Sequence, residues 1–402
     1  MALTLREFGF VSSLGDPDVW MKPKKKTNGE AYWEYVLVYV DDTILCVSHE
    51  PQAFMDYIAT KYTLKSGSVK EPDAYLGAEI RKYYIAESDD PSKVRWAMSS
   101  DLYVKRAIQE VERELTQINQ KLTTRVTTPL SQGYRAEMDT TPELDAKRAN
   151  YYQGQIGILR WMCELGRIDI LVDVAMLSRF LAAPRRGHLD QVFHIYAYLK
   201  SHDKTSMVFD DTMPYFDESR FTKCDWAEYY PGAAEAIPPN APEIRGKSVT
   251  MTCYVDADHA GCQATRRSQT GVLIFINRAP ILWFSKRQNT VETSTFGSEF
   301  VAARIAVEMV EGLRYKLRML GVQVDGPTNM LCDNAAVVLN ASKPESTLKK
   351  KHNAIAYHRV REAQAAGVIR IAKEDGETNL ADILTKSLPG PRLRALLRCI
   401  LW

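Results

Sequence analysis

The pattern that most constrains the fold lies in residues 248–402. Three β-rich runs there precede a long helical segment, after which strand-like and helical segments alternate. This order is typical of an α/β domain with helices packed on a mixed sheet, and about 150 residues suffice for one domain. The strand-like runs are 250–255, 271–277, 281–285, 328–332 and 368–373. The helical segments are 296–320, 335–340, 352–366 and 380–387.

Four acidic residues lie where these predicted elements begin or end. Asp256 and Asp333 each end a strand, Glu299 lies in the first turn of the long helix, and Asp382 lies at the start of the last helix. Carboxylates in such positions can converge at one edge of a sheet and hold two Mg²⁺ ions. Paired ions clamp the attacking water and the leaving oxygen of a phosphodiester displacement. Mg²⁺ prefers carboxylate oxygens and retains water, so few side chains are needed.

Each of these residues also has an ordinary structural interpretation. A single Asp or Glu is most often a solvated surface residue, and Asp382 before an apolar run could cap a helix. Asp258 competes with Asp256, because alternate residues of a strand share a face and either could be the ligand. The spacing alone leaves both questions open.

Six short segments surround these carboxylates in a fixed order. They are Tyr254–Gly261, Arg266–Gly271, Ser285–Gln288, Ser294–Ala302, Cys332–Asn334 and Asn379–Lys386. Together they resemble the ribonuclease H domain of copia-type LTR retrotransposon polyproteins, with Asn379 where that family usually has Gln. The resemblance implies hydrolysis of the RNA strand of RNA/DNA hybrids with two Mg²⁺ ions. It also implies catalytic and metal-ligand roles for Asp256, Glu299, Asp333 and Asp382, with Asp258 as the less favoured ligand.

A second acidic pair, Asp41-Asp42, separates β-rich runs at 35–40 and 43–47 and predicts a β-hairpin. Asp is common in ordinary turns, yet a tight turn presenting two carboxylates also suits two-metal phosphoryl transfer. The tetrapeptide Tyr39–Asp42 resembles the Y-x-D-D hairpin of reverse transcriptases, which implies catalytic and metal-binding roles for Asp41 and Asp42. Further segments that resemble copia-type reverse transcriptase are 8–12, 16–20, 75–80, 157–161, 177–181 and 198–200.

The sequence therefore predicts α/β and α+β architecture in four regions. These are a partial reverse-transcriptase palm at 1–99, a helical thumb/connection-like region at 100–205, an acidic Pro-containing linker at 206–247 and a ribonuclease H-like mixed sheet with flanking helices at 248–402. Residues 1–30 look loop-rich, with a turn at 15–18 and a lysine cluster at 22–26. A reverse transcriptase needs a third catalytic Asp well upstream of the hairpin. We expect this chain to lack polymerase activity and to be part of a longer polyprotein.

Charge is unevenly distributed along the chain. Residues 248–402 contain 21 Lys+Arg and 14 Asp+Glu, whereas the whole chain has a net charge of only +2. A basic region on a nearly neutral chain favours a polyanionic partner, here an RNA/DNA hybrid, although solvated surface charge is the alternative. The expected phosphate contacts are Arg266, Arg267, Lys286, Arg287, Lys349, Lys350 and Lys351.

Cysteine usage and hydropathy restrict the compartment. The seven cysteines include no C-x-x-C pair, which argues against a zinc site or a secreted disulfide framework. The N-terminus lacks the apolar core of a signal peptide, and no apolar run approaches the ~18 residues that span a bilayer. We expect an intracellular protein without a membrane partner, in a cytoplasmic particle or the nucleus.

Two other interpretations stay open. The chain could be an inactive or co-opted nucleic-acid-binding remnant of a retroelement, or a different nuclease of the ribonuclease H-like superfamily. The four intact carboxylates argue against the first, and the reverse transcriptase-like segments upstream argue against the second.

Overall fold

The computed structural model describes residues 1–39, 43–84, 94–348 and 351–402. In this part of the chain the strands form three sheets. None of the helices described here is both long and apolar enough to cross a membrane. The strands are β1 (Val11–Ser12), β2 (Val19–Lys25), β3 (Ala31–Tyr39), β4 (Thr43–Val47), β5 (Ala74–Tyr75), β6 (Ala78–Tyr84), β7 (Val94–Ser99), β8 (Met207–Phe209), β9 (Met251–Asp258), β10 (Gln269–Ile276), β11 (Ala279–Arg287), β12 (Thr328–Cys332) and β13 (Ile369–Lys373).

Helices connect and cover these sheets. The α-helices are α1 (Ala2–Glu7), α2 (Pro51–Lys61), α3 (Asp101–Gln117), α4 (Ala146–Glu164), α5 (Leu171–Leu177), α6 (Arg186–Ser201), α7 (Thr295–Met319), α8 (Ala335–Ser342), α9 (Ala354–Ala365) and α10 (Gly390–Leu397). Among the short 3-10 helices, Leu380–Leu384 is important for the site and is called the closing helix below.

The first sheet has the strand order β1-β2-β3-β4 and is antiparallel throughout. The strands of the predicted hairpin pair with Tyr39 opposite Thr43, while Asp41 and Asp42 lie outside the described residues. The expectation that residues 1–30 are loop-rich is wrong, since α1 and β2 lie there. The lysine cluster tolerates a strand because Lys22 packs over the ring of Phe8 and donates a 2.7 Å hydrogen bond to its carbonyl oxygen.

The helical region, residues 100–205, forms a core of its own between α3, α4, α5 and α6. In α3 the buried residues recur with helical spacing at Val104, Ile108, Val111 and Leu115, as the apolar pattern predicted. A second antiparallel sheet, β5-β6-β7-β8, lies beside this core.

The acidic segment 206–247 is attached to its neighbours along its length. Its first residues form β8, which pairs with β7. Further on, Arg220 donates to Glu374 at 2.7 Å, and Glu235 accepts from Arg314 and Arg318 of α7. The four region boundaries stay predictions, but this segment contributes ion pairs that bind it to the C-terminal domain.

The C-terminal domain, residues 248–402, contains a five-stranded sheet of order β11-β10-β9-β12-β13. The first three strands form an antiparallel meander, and β12 and β13 are parallel to β9 and to each other. Parallel pairs need a crossover connection, and here α7 precedes β12 while α8 and α9 precede β13. The predicted mixed sheet with flanking helices is therefore confirmed.

The two faces of this sheet have separate cores. Residues such as Val255 and Ile274 pack against α7 on one face. Leu273 and Phe275 pack against the closing helix and α10 on the other. Two expectations need correction. Strand β9 continues through Asp256 to Asp258, and the predicted helix 380–387 is a 3-10 helix that ends at Leu384, because the chain there forms only short 3-10 turns and the separate helix α10 begins at Gly390.

Candidate active site

Asp256 lies inside β9, and only 3% of the residue is exposed. Its partner in the neighbouring strand is Gly271 of β10. The hydroxyl of Thr385, just after the closing helix, donates a hydrogen bond to Asp256 Oδ2. Strand β9 thus presents this carboxylate to the closing helix.

Gly271 determines how closely the closing helix can approach. A Cβ at this position would lie 2.7 Å from Thr385 Cγ2 and 2.8 Å from the carbonyl oxygen of Ala381. Both distances are shorter than van der Waals contact, so a side chain here would push the closing helix away. The glycine therefore allows Asp382 on the closing helix to reach the strand that carries Asp256.

Asp333 reaches the site through the parallel pairing of β12 with β9. Cys332 is the partner of Val255 in that register, so the next residues along the two strands, Asp333 and Asp256, lie side by side. Asn334 caps α8 with its side-chain oxygen, which turns the chain directly after Asp333.

Glu299 comes from the second turn of α7. The helix begins after Ser294, whose side chain accepts a hydrogen bond from the N–H of Gly297. Glu299 is 3% exposed, and within the described residues its Oε2 has no hydrogen-bond partner. Burial first, and then the charges of Asp256 and Asp333, raise the pKa of Glu299 well above its usual value. A buried oxygen without a partner is costly, and a bound cation would supply the partner.

The four carboxylates predicted from the sequence meet at this place. Ligand oxygens of Asp256, Asp333 and Asp382 all lie within 4.8 Å of one another. Asp333 forms a second such group with Glu299 and the sulfur of Cys332. Because Cys332 belongs to the apolar core, the donors open to an ion are carboxylate oxygens, which Mg²⁺ prefers. These residues fit a divalent cation.

The pKa values of Asp382, Asp333 and Lys386 are all raised, although burial opposes the rise at Lys386. Burial and the charge of Asp256 raise the pKa of Asp382 to about 7, and the pKa of Asp333 is raised for the same reasons. Burial acts to lower the pKa of Lys386, yet Asp256 and Asp382 raise it overall. The raised pKa values of the two carboxyl groups and of the lysine both indicate an excess of negative charge, which a cation would relieve.

Three residues of the site were not among the predicted ones. Lys386 Nζ lies 2.9 Å from Asp382 Oδ1 and 3.7 Å from Asp256 Oδ2. Thr385 bonds to Asp256 as described above, and Arg392 of α10 donates to Asp382 Oδ2. The motif Asn379–Lys386 contained a signal for Lys386, which follows Asp382 by four residues. Nothing local pointed to Arg392.

Asp258, the alternative to Asp256, lies two residues further along β9 and is half-buried. Neither carboxylate group found in the described residues includes it. Burial is the main cause that raises its pKa, while the charge of Lys386 opposes the rise. The geometry therefore favours Asp256 as the ligand and places Asp258 at the edge of the site.

The predicted phosphate contacts that the structure describes come from three elements of the C-terminal domain. Arg266 and Arg267 lie in the turn between β9 and β10. Lys286 and Arg287 are neighbours in β11 and so point to opposite faces of the sheet. Lys351 is exposed beside α9, whereas Lys349 and Lys350 lie outside the described residues.

No protein-family model matches the chain. Curated relatives do. The chain is 24% identical over 387 residues to the retrovirus-related Pol polyprotein from transposon RE1 of Arabidopsis thaliana, an alignment that covers 96% of this chain. It is 24% identical over 391 residues to that from transposon TNT 1-94 of Nicotiana tabacum. It is also 24% identical over 304 residues to a putative transposon Ty5-1 protein of Saccharomyces cerevisiae, covering 75% of this chain and 80% of that protein.

The matched region spans 22% of the RE1 polyprotein and 25% of the TNT 1-94 polyprotein. Among solved structures, LC11-RNase H1 in complex with RNA/DNA hybrid matches 34% of this chain and 94% of its own at 18% identity. The TM-score of that match is 0.28. The similarity to the curated relatives confirms what the motifs predicted: over nearly its whole length the chain is similar in sequence to the Pol polyproteins of copia-type retrotransposons.

Proposed function

We propose that residues 248–402 hydrolyse the RNA strand of RNA/DNA hybrids with the help of divalent cations. The observation that carries this proposal is the meeting of Asp256, Glu299, Asp333 and Asp382 at one buried edge of the sheet. The sequence similarity to Pol polyproteins supports the hybrid as substrate, because copying RNA into DNA leaves the RNA paired with its product. The six ribonuclease H-like motifs point to the same substrate.

The proposed ions are two Mg²⁺, held by these four carboxylates. When bound, such a pair activates water and stabilises the charge on the leaving oxygen of a phosphodiester. The rest of the site fixes the ligands in advance. Thr385 orients Asp256, and Arg392 orients Asp382. Ligands that are already hydrogen-bonded keep their geometry when an ion arrives.

Polymerase activity is a separate question. The structure does not describe Asp41 and Asp42, so their catalytic role stays a prediction, as does the expected lack of polymerase activity in this chain. Primer extension by the purified chain on an RNA template tests the latter, and extension would contradict it.

The test of the nuclease uses the full chain, Mg²⁺ and an RNA/DNA hybrid labelled on its RNA strand. We expect cleavage of the RNA strand that chelation with EDTA stops. Asp256→Asn and Asp333→Asn should abolish cleavage, because each removes the charge of a ligand. Asp225→Asn, at an exposed position, is the matched control and should cleave like the wild type.

The other interpretations are outcomes of the same assay. Binding of the hybrid without cleavage would support a nucleic-acid-binding remnant. Cleavage of double-stranded DNA would support a different nuclease. Cleavage of the hybrid that both variants leave unchanged would move the active site elsewhere.

A further inference from the structure

Two arginines from different regions of the chain lie together beside the carboxylate site. Arg179 belongs to the 3-10 helix Ser178–Phe180 of the helical region and donates a 2.5 Å hydrogen bond to Gln269 Oε1. Arg287 belongs to the C-terminal domain, where it is the β11 partner of Gln269. Gln269 thus contacts Arg179 through its side chain and Arg287 through strand pairing, although the two arginines are far apart in sequence.

The register of the sheet places this pair relative to the active site. Asp258, Gln269 and Arg287 form one row across β9, β10 and β11. Asp256 lies two residues before Asp258, which is a separation of about 7 Å along the strand. Residues two apart face the same side, so the row with Arg287 and the row with Asp256 share one face. The arginine pair thus adjoins the site along the strand direction.

The electrostatics of the pair are unfavourable without an anion. Burial, and next the charge of Arg287, lower the pKa of Arg179, although Glu137 and Asp258 act in the opposite direction. Within the described residues neither arginine forms an ion pair with a carboxylate. Arg179 donates to Gln269, and Arg287 donates to the sulfur of Cys262. Holding two partly desolvated like charges together costs free energy, which an anion between them would offset.

The helical region is fixed in this position by further contacts. Arg135 Nη1 donates to the carbonyl oxygen of Gly261 at 3.3 Å, and the N–H of Gln263 donates to Glu137 Oε1 at 2.9 Å. Gly261 and Gln263, the two residues of the C-terminal domain in these bonds, both lie in the turn between β9 and β10. Arg135 is thus a third cation at the same junction, and the junction does not depend on Arg179 alone.

We propose that Arg179 and Arg287, with Arg135 beside them, bind a backbone phosphate of the RNA/DNA hybrid next to the one that the carboxylates address. The helical region then supplies part of the nuclease's substrate surface. This inference rests on the proposed function. Guanidinium groups suit the task, because their planar fork binds phosphate oxygens in pairs. Such a contact positions the backbone and is indifferent to base sequence.

The test measures binding of a labelled RNA/DNA hybrid to the full chain in EDTA, where cleavage is excluded, as a function of salt concentration. Arg179→Gln and Arg287→Gln should each weaken binding roughly three- to tenfold and lower the slope of log K against log salt by about one unit. Arg179→Lys keeps the charge and should keep the slope. Arg160→Gln, an exposed arginine of α4, is the control for net charge.

Each outcome has one meaning. Lower slopes in the two Gln variants, with Arg179→Lys and Arg160→Gln like the wild type, support the phosphate contact. If the wild type binds and cleaves the hybrid but the two Gln variants have the wild-type slope, the proposed phosphate contact is overturned while the proposed nuclease activity stands. An equal drop in Arg160→Gln also overturns the phosphate contact, because net charge alone then explains the effect. A wild type that neither binds nor cleaves the hybrid overturns the proposed function first. Arg287→Gln separates the charge effect from loss of the bond between Arg179 and Gln269, because the side chain of Arg287 takes no part in that bond.

Discussion

Gly271 and Thr385 are packed so closely that a Cβ on Gly271 would lie 2.7 Å from the Cγ2 of Thr385. The hydroxyl of Thr385 in turn donates a hydrogen bond to Asp256 Oδ2. The absence of a side chain at one position of β10 therefore sets the distance between the closing helix and the strand that carries the central carboxylate.

Gly271→Ala is expected to impair both stability and activity. The added methyl group must displace the closing helix, and overpacking of this kind costs about 1–3 kcal/mol. A shift of about 1 Å in Asp382 can lower catalysis on the order of 100-fold. Urea denaturation and hybrid cleavage measure the two effects.

Gly312→Ala in α7 is the control: its Cβ would meet nothing within 4 Å, and alanine should stabilise the helix by roughly 0.5–1 kcal/mol. Hybrid cleavage by Gly271→Ala at the wild-type rate would contradict the proposed role of Gly271.

Lys386→Gln should destabilise the protein mainly when no divalent ion is present. The ammonium group lies between Asp382 and Asp256, so its loss leaves their repulsion uncompensated at a cost of about 1–3 kcal/mol. Bound Mg²⁺ would neutralise the same carboxylates, and we expect the difference in Tm from the wild type to shrink in excess Mg²⁺. Thermal unfolding with EDTA and with Mg²⁺ tests this, with Lys147→Gln at an exposed site as the control. An equal loss under both conditions would show that Lys386 and the ions act independently.

Asp173→Asn should stabilise the protein above neutral pH. Asp173 is a buried residue of α5 that accepts a 2.5 Å hydrogen bond from Ser387, and burial raises its pKa from 3.8 to about 7. The folded state therefore binds a proton that the unfolded state releases. The stability that this group contributes is fully present below pH 4 and is lost as the pH rises to about 7.

The measurement for Asp173 is chemical denaturation of the wild type and Asp173→Asn between pH 5 and pH 8, a range that covers most of this window. Asparagine has no charge to bury and can still accept the hydrogen bond from Ser387 through its carbonyl oxygen. The variant should gain stability relative to the wild type as the pH rises, whereas Asp225→Asn should not. A difference that does not change with pH would mean that Asp173 does not titrate in this range.

Glu235→Gln should loosen the acidic segment from the C-terminal domain. Glu235 accepts hydrogen bonds from Arg314 at 2.7 Å and from Arg318 at 2.5 Å. Burial acts to raise its pKa, but the hydrogen bonds and charges of the two arginines outweigh burial and lower the pKa to about 2. The stability that it contributes is present above pH 4.5 and is lost as the pH falls towards 2.

At neutral pH the loss in Glu235→Gln should be about 1–3 kcal/mol, and it should vanish in acid. Limited proteolysis of residues 206–247 gives a second readout, because a released segment is cut faster. Glu228→Gln, at an exposed position of the same segment, is the control. Equal proteolysis of the wild type and Glu235→Gln would place the attachment elsewhere.

Local pattern predicted much of this structure. Runs of β-forming residues located the strands of the C-terminal sheet, and the spacing of apolar residues located α3. Local pattern did not predict β2, because a lysine cluster is typical of a solvated loop. The packing of Lys22 on Phe8, 14 residues away, depends on the tertiary structure. Local pattern also ended β9 too early, since Asp256 looks like a strand terminator when its buried surroundings are unknown.

The sequence by itself identified the residues that can carry the reaction, namely four carboxylates within six motifs in the order expected of a ribonuclease H domain. It also determined the similarity to retrotransposon Pol polyproteins. Only the tertiary structure decided how the four carboxylates meet. The parallel register of β12 on β9 puts Asp333 beside Asp256, and the space left by Gly271 admits the closing helix with Asp382. The contact of Arg392 with Asp382 and the pairing of Arg179 with Arg287 became visible only then, because contacts between residues distant in sequence depend on strand pairing and side-chain packing, which local pattern does not encode.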